Sequence, residues 1–256
     1  MALHQQVCTA RRTRDGHDET SDAHAAGSCL AHGHRAPAAF SQDNFDDGPE
    51  CGCHHEPVAW TNTTHDWFAS VDRAHIAQVR ARALDLAPGG LEHLILEVLA
   101  YAADEAEVEG GGTAVVTLHA GGASIADAGR GTDTRADDEG RFVKKPVMAT
   151  RDLRFFDAQT PPTLPDGHAR RGMSVVCALS SELVHVNRRL NGSWLQRYMA
   201  GVPVTDLLPI PDDGTTGTTV SFTLDPSLGL TATADLARLR DLAMPFATQG
   251  LTTAFT

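Results

Sequence analysis

No window of this 256-residue chain approaches the roughly 18 consecutive apolar residues that a membrane-spanning helix needs, so no membrane association is expected. Its opening, MALHQQVCTARR, lacks the apolar core of a secretory signal, and a soluble, cytoplasmic protein is the expectation. Positive charge is also short: 21 Lys and Arg stand against 33 Asp and Glu, for a net charge of -12. Phosphate contacts need clustered Lys and Arg and a positive surface field, so no direct DNA binding is expected, and any role on DNA needs a partner. Cysteine is scarce where a framework would need it. Cys8, Cys29, Cys51 and Cys53 precede the bulk of the chain, while Cys177 follows Val175 and Val176 and reads as a buried small hydrophobe.

Large apolar residues are nearly missing from 1–58, a stretch rich in Ala, His, Asp, Gly and Ser. Such a composition cannot offset the entropy of ordering the chain, so a disordered tail is expected there. Cys51, Cys53, His54 and His55, with His32 and His34 upstream, suit Zn²⁺ chemically. A Cys-x-Cys pair is not zinc-finger spacing, and His-rich tails take up metal adventitiously, so no metal site is assigned. With 41% hydrophobic content overall, the chain is long enough for one sizeable core: a domain over 59–246, then a C-terminal extension at 247–256.

Within that domain the periodicity predicts a first helix from Ala74, stopped by Pro88, Gly89 and Gly90. A second helix over 91–108 places Leu91, Leu94, Ile95, Val98, Leu99, Ala102 and Ala106 on one apolar face, with Glu97, Tyr101, Asp104 and Glu105 as a polar stripe opposite. TAVVTLH (113–119) and residues 124–127 read as a hairpin turning at Ala120, Gly121 and Gly122. Residues 129–170 read as a long, lid-like loop region with one helical piece around 147–156. A buried helix at 172–180, strands at 183–190, 193–199 and 218–224, and a closing helix at 234–243 complete the pattern. This order predicts an α+β fold, a two-layer α/β sandwich whose mixed, mostly antiparallel sheet carries helices on one face.

Four stretches in this order carry a family resemblance: GLEHLILEVLAYAADEA (90–106), IADAGRGT (125–132), RRGMSVVCALSSELVHVNRRLNGSWLQRYMAGVP (170–203) and GTTGTTVSF (214–222). Together they resemble the ATPase domain of the DNA gyrase B protein, a type IIA topoisomerase domain of the GHKL (Bergerat) superfamily, over about 72–246. The resemblance implies ATP or ADP as ligand. It implies that Glu97 is the general base orienting water at the γ-phosphate, a role that needs a carboxylate within hydrogen-bond reach. It makes Asp127 the adenine-reading carboxylate, with Gly129 and Gly131 letting the backbone approach the base and Thr218 helping to hold it. Arg189 falls near an arginine at the pocket mouth, Asp104 lies on the pocket-facing stripe, and Gly172 starts the buried helix behind the phosphate loop.

The chain departs from the family in the phosphate half. Tyr101 stands where the family has the Asn that ligates Mg²⁺, and Ala100 where it has Asp; Mg²⁺ demands hard oxygen ligands in near-octahedral geometry. Arg170 and Arg171 stand where the phosphate loop has glycine and valine, and Leu153, Arg154, Phe155 and Phe156 replace the paired glycines and lysine before the lid. Weak or absent hydrolysis is the expectation, and Mg²⁺ use is put in question. The chain also ends just after this domain, so no topoisomerase activity is expected from it alone. The alternative is a non-catalytic, gyrase B-like interaction protein with a plugged pocket, whose partners are gyrase subunits or another protein. A kinase or anti-sigma factor of the wider superfamily fits the later stretches less well.

Overall fold

The computed structural model describes residues 64–65, 71–136 and 140–256; the tail expected at 1–58, with its Cys and His residues, lies outside the described residues. Helix α1 (Arg73–Ala81) starts at Asp72, whose carboxylate accepts the His75 N–H at 2.9 Å as an N-cap. The single turn α2 (Ala83–Leu86) follows, and the chain turns at Pro88 and Gly89. Helix α3 (Leu91–Glu109) begins after Gly90, whose φ of +58° and closeness to Thr231 leave no room for a side chain: a Cβ there would lie 2.4 Å from the Thr231 carbonyl oxygen. It ends at Gly110 in the left-handed conformation, whose N–H returns to the Ala106 carbonyl. The expected single apolar face is corrected here. Between Leu91 and Ala103 only Glu92 and Tyr101 escape full burial, so the first half of α3 is covered all round and forms the centre of the core.

Strands β1 (Gly112–His119) and β2 (Gly122–Asp127) form the expected hairpin, with Val116 and Ile125 inward. A small separate hairpin follows, β3 (Thr134–Ala136) with β4 (Phe142–Lys144). The helical piece expected around 147–156 is instead two separate turns. The Pro146 carbonyl accepts the Ala149 and Thr150 N–H groups, and the Asp152 side chain accepts the Arg154 N–H at 3.0 Å. An Asp that bonds its own downstream amide competes with helix propagation. Helix α4 (Met173–Ala178) is entirely buried and leads into β5 (Ser180–Arg189), β6 (Gly192–Met199), the two-residue strands β7 (Val202–Pro203) and β8 (Leu208–Pro209), and β9 (Gly217–Leu224).

Helix α5 (Leu236–Ala243) is capped by Asp235, which accepts the Ala237 N–H at 2.8 Å. A short 3-10 segment then leads to β10 (Leu251–Phe255). The C-terminal extension expected at 247–256 is therefore corrected: β10 pairs in parallel with β1, Leu251 opposite Gly112, and extends the main sheet. That sheet runs β10-β1-β2-β9-β5-β6-β7, with β8 paired to β6, and every pairing except β10 with β1 is antiparallel. The mixed sheet with α3, α4 and α5 packed on it is the α+β sandwich that the element order predicts. No described helix is long and apolar enough to cross a membrane.

Two buried polar side chains pin the β3–β4 hairpin to the sheet. On β5, Asn187 accepts the Thr132 N–H at 2.8 Å and donates to the Thr132 carbonyl at 2.9 Å and to Thr134 Oγ1 at 3.0 Å. Lys144, at the end of β4, donates from Nζ to His185 Nδ1 at 2.7 Å and to Tyr198 Oη at 3.1 Å. Burial away from any carboxylate pushes the Lys144 ammonium down to about 7, and pushes the neighbouring Cys177 thiol up.

The ordinary Lys value near 10.4 applies in the unfolded chain, so above pH 7 the unfolded state binds more protons at this position and stability rises with pH. Cys177 acts in the opposite sense once pH passes the ordinary thiol value of about 8.5, which limits the window to pH 7–8.5. Urea unfolding at pH 7.0 and 8.5 is expected to show a gain of about 1–2 kcal/mol in the native chain, and a smaller gain in Lys144→Met. Equal gains in the two proteins would show that Lys144 does not titrate in this range.

Candidate functional site

A cavity of about 550 Å³ opens between α3 and the inner face of the sheet, lined among others by Tyr101, Asp127, Gly131, Lys145, Arg189 and Thr218. Its volume lies within the range of small-molecule sites. Asp127 ends β2 and Thr218 begins the adjoining β9, so strand pairing alone brings the two together. Asp127 Oδ1 accepts the Gly129 N–H at 2.9 Å and the Thr218 N–H at 3.2 Å, and Oδ2 accepts the Thr218 hydroxyl. Burial raises the Asp127 carboxyl above its ordinary value, against the pull of the Thr218 and Gly129 bonds. The carboxylate is thus oriented by the protein, and Oδ2 keeps acceptor capacity.

The two glycines of the motif answer to protein contacts. A Cβ on Gly131, whose φ is +77°, would lie 2.5 Å from the Arg188 carbonyl oxygen and 2.7 Å from Asn187 Oδ1. One on Gly129 would meet Glu105 Cγ at 2.8 Å. Arg130 pairs with Glu105 at 2.5 Å and Glu109 at 3.1 Å, and Arg189 donates to the Gly131 carbonyl at 2.7 Å. Asp127, Gly131, Thr218, Arg189 and Asp104 therefore share one cavity wall. Gly129 lies just outside that lining, in the adjoining smaller cavity with Asp127 and Arg130.

Glu97 and Gly172 do not line the cavity. Glu97, expected to face its phosphate side, is fully buried; its Oε1 accepts the Arg171 N–H at 2.5 Å and its Oε2 the Gly172 N–H at 2.9 Å. Burial pushes the Glu97 carboxyl up, opposed by His93 and by these two amides. Three further amides of the loop are engaged as well: Gly167 with the Leu164 carbonyl, His168 with Asp166 Oδ1, and Arg170 with the Pro162 carbonyl.

Side chains close the same end. Arg170 makes a two-pronged bridge to Asp104, both bonds 2.8 Å, and its guanidinium lies 4.8 Å from the Tyr101 ring centre and 4.2 Å from that of Phe155. The Tyr101 hydroxyl donates to Asp152 Oδ2 at 2.5 Å, and Arg154 binds the same carboxylate at 2.8 and 3.0 Å. This donor set does not fit Mg²⁺. Tyr101 presents a hydroxyl already donated to Asp152, position 100 is a buried alanine, and Asp104 is neutralised by arginine.

Several residues of the site escape sequence reasoning. His93 lies one turn before Glu97, donates from Nδ1 to Asp166 at 2.6 Å, and points Nε2 at Glu97 Oε1 across 3.7 Å. Its i,i+4 spacing from Glu97 is the signal that could have found it. Asp152, Lys145 and Asn187 carried no such signal, since their partners come from distant segments.

No protein-family model matches the chain. Over 170 residues it is 33% identical to the mitochondrial DNA gyrase B protein of Arabidopsis thaliana, covering 60% of this chain and 23% of that protein. It is 33% identical over 172 residues to the novobiocin-sensitive DNA gyrase B protein of Streptomyces niveus, covering 65% of this chain and 25% of the relative. Against the DNA gyrase B protein of Mycobacterium tuberculosis the identity is 33% over 168 residues, with 64% and 24% covered. The chain thus spans about a quarter of the length of the curated relatives it matches. Among solved structures, the topoisomerase IV ATP-binding domain of Francisella tularensis, in complex with a small-molecule inhibitor, superposes with a TM-score of 0.52 at 22% identity, covering 68% of this chain and 87% of that one. The fold is that of the GHKL topoisomerase ATP-binding domain.

Replacing Glu97 tests its placement. In Glu97→Ala the Arg171 and Gly172 N–H groups lose the carboxylate that accepts them in a buried setting, a loss of about 2–4 kcal/mol in unfolding free energy. Urea denaturation reads this directly. A loss below about 0.5 kcal/mol, the range of an ordinary surface substitution, is incompatible with a carboxylate buried against those amides.

Proposed function

We propose that this gyrase B-like GHKL domain binds an adenine nucleotide through Asp127, Thr218 and Gly131, and turns ATP over slowly or not at all. The observation that carries the reading is the Asp127 carboxylate, held by Gly129 and Thr218 at the cavity wall with acceptor capacity left for a purine amino group. Slow turnover follows from the other end of the cavity. A general base must reach the attacking water, whereas the Glu97 oxygens are turned to two backbone amides. Phosphoryl transfer also relies on positive charge aimed at the phosphates, whereas the guanidinium of Arg170 is taken by Asp104.

A second reading is a non-catalytic interaction protein in which the fold serves docking onto gyrase subunits or another protein. The Tyr101–Asp152–Arg154 and Arg170–Asp104 contacts favour it, because they fill the phosphate end with protein. Titration calorimetry with ADP and ATP separates the two: heat with either nucleotide supports binding, and none at millimolar nucleotide supports docking alone.

Asp127→Asn is expected to weaken nucleotide binding by about 1.5–3 kcal/mol, the worth of a hydrogen bond to a charged group. Purified protein is expected to release phosphate from ATP at the background rate. Robust Mg²⁺-dependent hydrolysis that disappears in Glu97→Ala would overturn the turnover half of this reading.

A further inference from the structure

We infer that the anionic end of the ligand is received by Lys145, so that the pocket takes adenosine carrying a single phosphate and needs no divalent cation. This rests on the adenine reading above and specifies its ligand. Most donors at the closed end are already taken. The amides of Gly167, His168, Arg170, Arg171 and Gly172 all donate within the protein. The arginines of the cavity wall are engaged too: Arg130 with Glu105 and Glu109, Arg154 with Asp152, and Arg189 with the Gly131 carbonyl.

Lys145 differs from all of these. It lines the same cavity as Asp127, is half-buried, and its ammonium has no hydrogen-bond or ion-pair partner among the described residues. Its position is set by the backbone: its N–H donates to the Asp133 carbonyl at 2.9 Å, directly after Lys144 anchors β4 to the sheet, and Pro146 follows. A partly buried cation without a directly bonded anion is unfavourable, and an anion entering the cavity offsets that cost. Burial and then the nearby Arg154 lower the Lys145 ammonium, against the pull of the Asp152 and Asp133 carboxylates, neither of which bonds it.

The lining also limits how much negative charge can enter. Asp104, Glu105, Asp127 and Asp133 share the cavity wall with Arg130, Lys145, Arg154 and Arg189. Three of those cations are already paired or bonded, so one ammonium remains for one phosphate. A triphosphate without bound metal brings further negative charge toward Asp104 and Glu105, which repel it.

Calorimetry on the full chain with adenosine, AMP, ADP and ATP, each in EDTA and again in MgCl₂, tests the assignment in the native protein and in Lys145→Gln. The expected result is an AMP-over-adenosine preference of about tenfold or more, independent of Mg²⁺, with ATP binding no tighter than AMP. In Lys145→Gln the preference is expected to fall to near one, with adenosine binding reporting that the pocket is intact. A preference unchanged in Lys145→Gln, or Mg²⁺·ATP binding more than about tenfold tighter than AMP, overturns the assignment and leaves the adenine reading standing. If no adenine compound binds, the adenine reading itself fails and this inference fails with it.

Discussion

The Glu97 carboxylate accepts the N–H groups of Arg171 and Gly172 from inside the core, and the closed end of the cavity is arranged around that pair of bonds. They tie the middle of α3 to the start of α4. Along α3 the same connection is repeated at spacings of four, four and three residues: His93 holds Asp166, Glu97 holds the two amides, Tyr101 holds Asp152, and Asp104 holds Arg170. Residues so spaced share one helix face. Of the stripe that the pattern marks as ligand-facing, Glu97, Tyr101 and Asp104 are therefore engaged by the segment 152–172, and Glu105 holds Arg130.

The arrangement can be stable because its charges are paired as they leave water. A buried ion pair gains little over an apolar pair, but a buried charge without its partner is strongly destabilising. The Arg170 side chain is 8% exposed, both its terminal nitrogens reach Asp104, and its flat face lies against Tyr101 and Phe155. Arginine suits this place because a guanidinium can form a fork and stack at once, which an ammonium cannot. Tyr101, Arg154 and Arg170 thus form one contacting group of side chains around Asp104 and Asp152.

The opposite end of the cavity is built on different physics. There the positions come from strand pairing, with β2 and β9 side by side, and from Asn187 and Lys144 fastening the β3–β4 hairpin. Hydrogen bonds from Gly129 and Thr218 orient Asp127, and the Arg188 carbonyl and Asn187 leave Gly131 no room for a Cβ. One end is thus preorganised and open to the cavity, while the other is filled with protein. Strand pairing accounts for the first, and the side chains of 152–172 against α3 account for the second.

Periodicity and turn chemistry in the sequence determined the elements: the boundaries of α3, the β1–β2 hairpin, the succession β5, β6, β9, and the α+β class. These depend on local pattern, with Gly90 and Gly110 closing α3 and alternation marking the strands. Asp127 and Thr218 were legible through the family resemblance of 125–132 and 214–222, and the pairing of β2 with β9 brings them together. Three features were not. The parallel pairing of β10 needs a partner strand more than 130 residues earlier in the chain, and a five-residue strand has no local mark of its edge position. The turns at 147–156, where a helical piece was expected, were decided by Asp152 accepting the Arg154 N–H and the Tyr101 hydroxyl. Above all, sequence could place Glu97 on a helix face but not say what that face meets. A carboxylate that orients water and one that holds two amides read alike in the chain, and only the packing of 152–172 against α3 separates them.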